Sequence, residues 1–127
     1  MPVTYEILES PNVVMAHYRG VVRIEDIIAM FESYQAAPEF ELRRPHIADL
    51  RTVDISSVGF NEVYTLFSMF GRRYAEAGVP MRVAIVADSE VVFGMSRIFE
   101  NLTEQSDWAQ TCIFCSMSEA KAWVTQA

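Results

Sequence analysis

Ile47-Ala48-Asp49-Leu50-Arg51-Thr52-Val53-Asp54-Ile55-Ser56-Ser57 is the stretch whose reading decides the fold. A short apolar run ends in Asp49 and Arg51. A polar loop then carries Asp54, Ser56 and Ser57, and a helical pattern begins near Gly59. Open α/β sheets place ligands outside the carboxyl ends of their strands, where strand gives way to loop and helix. The free N–H groups and dipole of a helix start add an attraction for anions. Alternation along the strand puts Ile47, Asp49 and Arg51 on one face and Ala48 and Leu50 on the other. Asp49 and Arg51 are therefore expected to pair at the strand end.

Upstream, Val3–Glu9 and Val13–Tyr18 read as strands separated by the turn signal Pro11-Asn12. So short a connection predicts an antiparallel hairpin. Ile24, Ile27, Ile28 and Phe31 recur at helical spacing, which predicts a helix over Ile24–Ala36. Arg23 is a poor cap, and Glu25 and Asp26 in the first turn partly compensate through the macrodipole. Pro38 ends the helix. In the loop Glu39–Pro45, Arg43 and Arg44 read as solvated surface rather than an anion contact. His46–Leu50 is the third strand.

Downstream, Phe60, Val63, Tyr64, Phe67, Phe70 and Tyr74 form a stripe on a long helix, with Gly78 as its C′ residue and Pro80 beyond. Met81–Ala87 is apolar apart from Arg82, as suits a strand covered on both faces. Asp88-Ser89 is a natural cap. Met95, Ile98, Phe99 and Leu102 predict a third helix, within which Gly94 is expected to allow close packing or a distorted first turn. Thr111–Cys115 is the last strand. The spacing of Ser116 and Glu119 is that of a capping box opening a short helix that buries Ala120 and Trp123. The 127 residues thus predict one α/β domain. An opening β-hairpin is followed by alternating helices and strands, giving a mixed five-stranded sheet, right-handed parallel crossovers and about four helices.

Hydrophobic residues make up 51% and charged residues 21% of the chain, the balance of an ordinary globular domain. A net charge of -7 argues against nucleic acid, whose binding depends on neutralising phosphates. No apolar run approaches the roughly 20 residues that span a bilayer. Met1 to Ser10 lack the basic and apolar regions of a signal peptide. A cytoplasmic location is the expectation.

Ser56 and Ser57 have two readings: a phosphoacceptor or anion contact, or plain capping of the second helix. Asp49, Asp54 and Asp88 follow two strands and could gather around Mg²⁺ as a metal-dependent enzyme would require. A phosphoaspartate site would need a lysine, and Lys121 lies on the terminal helix. Capping and the Asp49–Arg51 pair account for these carboxylates more simply, so no metal is expected. Cys112 and Cys115 lie along a predicted strand with side chains on opposite faces, which suits structural thiols. Neither His17 nor His46 falls into a recognisable catalytic or zinc spacing. Phe67, Met69, Phe70, Phe93, Met95 and Phe99 read as core or as an apolar groove. Leu66, Phe67, Met69 and Phe70 crowd more than one face of the second helix, which points to a further contact, either a ligand or a second subunit.

Several segments, taken in order, resemble the SpoIIAA-like, or STAS/SEC14-type, family. They are the Gly20 turn leading into Glu25-Asp26; Ala48-Asp49-Leu50-Arg51 with Val53-Asp54; Ala84-Ile85-Val86-Ala87; Phe93-Gly94-Met95-Ser96-Arg97-Ile98-Phe99-Glu100; and Glu119-Ala120-Lys121-Ala122-Trp123-Val124. The resemblance implies a STAS-like sheet flanked by helices, and binding or regulation rather than catalysis. In the anti-sigma-factor antagonists of the wider family, an Asp-Ser-Ser-Gly loop carries the phosphorylated serine. Here the loop reads Asp54-Ile55-Ser56-Ser57-Val58-Gly59, with extra residues on both sides of the serines. The expectation is a non-enzymatic module without a cofactor, which takes a protein partner or a small apolar ligand and forms a homodimer. The alternative is a phosphoswitch at Ser56 or Ser57.

Overall fold

Residues 1–126 are described by a computed structural model. They run β1 (Val3–Glu9), β2 (Asn12–Val21), α1 (Ile24–Ala36), β3 (His46–Asp54), α2 (Phe60–Tyr74), a 3-10 turn (Ala75–Ala77), β4 (Met81–Val86), α3 (Glu90–Glu104), β5 (Ala109–Phe114) and α4 (Met117–Val124). The sheet is α/β and mixed, with β1 antiparallel to β2 and every later pair parallel. Two strands outrun their sequence signals. A register shift between His17 and Arg19 lets β2 and β3 stay paired as far as Val21↔Asp54, across the polar residues that looked like loop. The last strand ends at Phe114, so Cys115, read as a structural thiol on that strand, lies off it and is exposed.

The strand order is β1-β2-β3-β4-β5, the order of the chain. Parallel crossovers are right-handed, so when the order never reverses, successive crossover helices fall on the same face. Accordingly α1, α2 and α3 pack on one face through Ile27, Met30, Val63, Leu66 and Val92, against Val3 and Ala16 of the sheet. Helix α4 follows the last strand and takes the other face, where Ala120 and Val124 meet Val13, Met15, Ile47, Ala84 and Val86. With no reversal there is no topological switch point.

Local chemistry fixes the helix ends. The Asp26 carboxylate accepts the Arg23 N–H at 2.9 Å, and Glu62 accepts the Gly59 N–H at 2.7 Å. Gly59, rather than Ser56 or Ser57, therefore caps α2. Gly78 takes a left-handed φ of 75°, open to glycine without strain, and closes the turn after α2. Gly94 is not a close-packing site, because a Cβ there would meet open space. The close approach is at Gly71, where a Cβ would lie 2.8 Å from Nε1 of Trp108.

Arg82, the charged break in the β4 run, reaches α4. It donates to the Trp123 carbonyl and lies 5.3 Å from the Trp123 ring, a cation placed at a helix C-terminus. Arg44 is not solvated: it is 7% exposed. Its guanidinium donates to Asn12 Oδ1, the Tyr34 hydroxyl and the Glu39 carbonyl, which ties the loop after α1 to the start of β2.

Candidate apolar site

A cavity of about 130 Å³ lies between the sheet and the layer formed by α1, α2 and α3. Its floor can be traced to one row of the sheet. Tyr5, Ala16, Ala48, Ile85 and Ile113 are successive partners across the five strands. The two alanines stand side by side in this row, and both line the cavity with Ile85. Neighbouring Cβ atoms in a sheet are about 5 Å apart, so two methyl side chains where branched ones would fit leave the floor low. Met30 and Phe31 of α1, Leu66 and Phe70 of α2, and Met95 and Phe99 of α3 supply the walls, and Trp108 reaches in before β5.

The polar lining is sparse. His46 Nε2 and the Tyr74 hydroxyl are 2.9 Å apart. Burial, with the Arg44 charge adding to it, pushes the His46 ring down to about 4, so it is neutral at pH 7. Burial holds the Tyr18 and Tyr74 phenols above their ordinary range. Tyr18 and Ser96 are the other hydroxyl-bearing residues of the lining.

The residues singled out in the sequence divide. Phe70, Met95 and Phe99 line the cavity, and Phe67 and Phe93 do not. Phe67 packs on Trp108 with ring centroids 5.3 Å apart, and Phe93 lies under Arg97. Leu66, Phe67, Met69 and Phe70 all pack toward the core, and Leu66 and Phe70 also line the cavity. The aromatic residues that α2 leaves in solvent are Phe60 at 58% and Tyr64 at 51% exposure, both from the predicted core stripe. The sequence reading did not connect Ala16, Ala48, Tyr18, His46, Ser96 and Trp108 with a site.

The opening stretch faces elsewhere. Arg51 donates from Nε and Nη2 to the two oxygens of Asp49 at 2.9 and 3.0 Å. Those bonds hold the Asp49 carboxyl below its ordinary value. His17 lies beside the pair, 3.8 Å from Asp49 and 2.9 Å from Glu6. Asp49 shares by alternation the face on which Ile47 meets α4, and it is not among the residues that line the cavity. Asp54 accepts the Ser56 N–H, and the Ser57 hydroxyl donates to the Val22 carbonyl. Among the described residues no three His, Cys, Asp or Glu side chains are placed to hold a metal, so Asp49, Asp54 and Asp88 do not converge. No described helix is long and apolar enough to cross a membrane.

No protein-family model and no curated protein matches the chain. A solved structure does: an uncharacterised protein from Shewanella loihica PV-4, of the DUF3478 family and with a SpoIIAA-like fold. It superposes with a TM-score of 0.62 at 16% identity, over 96% of this chain and 91% of that one. The unreversed mixed sheet, three helices on one face and one on the other, is a SpoIIAA-like, STAS-type fold.

Proposed function

We propose that this chain is a non-enzymatic binding module whose ligand is a small apolar molecule held between the sheet and helices α1–α3. The observation that carries the reading is the cavity of about 130 Å³ over the Ala16–Ala48 floor. An apolar cavity of about 150 Å³ is enough to hold benzene, so this one suits a single ring or a short chain. Its lining has no paired acid and base and no activated nucleophile, which favours binding over catalysis.

The Ser56–Ser57 loop supports the phosphoswitch reading less well. Neither serine caps α2, and a phosphate on Ser56 would stand beside the Asp54 carboxylate. Phe60 and Tyr64, exposed on α2, offer apolar surface to a second copy of the chain.

Native mass spectrometry of the purified protein, with a thermal-shift screen of single-ring and short-chain compounds, tests the proposal. A retained small molecule, or a rise in Tm with such compounds that is lost in Ala48→Leu, is the expected result. No retained mass and no shift with any compound would overturn it.

A further inference from the structure

Resting on that reading, we infer that the site selects an uncharged ligand and rejects the carboxylate or ammonium form of the same skeleton. None of the residues lining the cavity is Asp, Glu, Lys or Arg. The groups there that can titrate are His46, Tyr18 and Tyr74, and burial holds all three in their neutral forms. The nearby cation, Arg44, is not among the lining residues. Its guanidinium is committed to Asn12, Tyr34 and the Glu39 carbonyl, with Glu41 3.4 Å away.

An ion entering the cavity would leave water and meet no opposite charge. Burying an ion without a partner in this way is strongly unfavourable. A neutral hydroxyl or carbonyl meets a different surface. The Tyr18, Tyr74, Ser96 and His46 side chains supply uncharged donors and acceptors, so one polar atom on an otherwise apolar ligand can be satisfied.

Matched compounds test the inference on the full chain at pH 7.5: benzyl alcohol against benzoate and benzylamine, and 1-hexanol against hexanoate. Binding is read by calorimetry. The two tryptophans, Trp108 and Trp123, are on opposite faces of the sheet, so a Trp123→Phe variant makes Trp108 fluorescence a report from the cavity wall. The neutral compounds are expected to bind and to change Trp108 emission, with each ion at least about a hundredfold weaker. An ion that binds within tenfold of its neutral partner, with the same Trp108 response, overturns the selectivity while leaving the binding reading intact. Failure of every compound to bind overturns both.

Discussion

Ala16 and Ala48 stand opposite each other in the register of β2 and β3, and this pairing is what opens the space above the sheet. Replacing Ala48 by Leu puts a branched side chain onto the cavity floor between Ala16 and Ile85. Stability is expected to change by less than about 1.5 kcal/mol, because the added methylenes enter space already present rather than a packed core. Ligand-induced stabilisation, by contrast, is expected to vanish. A bound ligand at a hundred times its Kd raises stability by about 2.7 kcal/mol, so the loss is readily seen in a thermal shift. An Ala48→Leu protein that still responds to the same compounds would place their site elsewhere.

Gly71 and Trp108 give the second prediction. In an exposed helix interior, Gly→Ala is worth up to about 1 kcal/mol of added stability. At Gly71 the new Cβ would lie 2.8 Å from the indole Nε1 and 3.1 Å from Cε2. Trp108 is 7% exposed and is hemmed by Phe67 and Tyr74, so it has little room to retreat. Gly71→Ala is expected to destabilise by about 1–2 kcal/mol and to shift Trp108 emission. Denaturant unfolding followed by tryptophan fluorescence measures both, and a stabilised variant would show that the indole moves freely.

Arg44 and Arg51 contrast a buried cation with an exposed one. Arg44→Met removes the donor to Asn12 and the Glu39 carbonyl and one of two donors to the Tyr34 hydroxyl, with an expected cost of about 2–4 kcal/mol. Arg44→Lys is expected to recover only part of this, since an ammonium cannot reproduce the planar fork. Arg51 has a side chain 42% exposed, and its bond to Asp49 is two-pronged but open to water. Arg51→Ala is expected to change stability by less than about 1 kcal/mol while the Asp49 carboxyl returns toward its ordinary value. Urea titrations of the variants, with carboxyl titration by NMR for Arg51→Ala, separate the two cases.

The fold was legible because its signals are local. The periodicity of Ile24, Ile27 and Phe31, the Gly78 and Pro80 stop, and the Ser116–Glu119 spacing each act within a turn or two of chain. The site was not legible because its pieces are far apart in sequence and unremarkable alone. Ala16 and Ala48 matter only as neighbours in the sheet, and His46 meets Tyr74 across 28 residues. Nothing local separates Arg44, which is buried, from Arg43 beside it, which is exposed. The stripe on α2 also over-reads: Phe60 and Tyr64 share the spacing of Val63 and Phe67 but lie beyond the edge of the packed face. Asp49 and Ser56, legible as a polar strand end and loop, are not among the residues that line the cavity.

His46 gives the last prediction, and its sign is fixed by burial. In the unfolded chain the ring takes a proton near pH 6.5, whereas in the folded chain burial and Arg44 delay protonation to about pH 4. Between those values the unfolded state binds the extra proton, so stability rises with pH. The contribution is fully present above pH 6.5 and is lost as the pH falls toward 4. At pH 4.5 the loss reaches up to about 2.5 kcal/mol. Protonation would also put a charge against Tyr74, Tyr34 and the Arg44 guanidinium, none of which carries a compensating negative charge. His46→Gln keeps a hydrogen-bonding group toward the Tyr74 hydroxyl and removes the titration. The measurement is the denaturant midpoint at pH 7.5, 6.0 and 4.5 for both proteins. The wild type is expected to lose more stability than the variant across that range, the difference opening below pH 6.5. Asp49, held low by Arg51, is felt at lower pH and equally in both proteins. Parallel pH profiles for wild type and His46→Gln would mean that the ring already accepts its proton in the folded state.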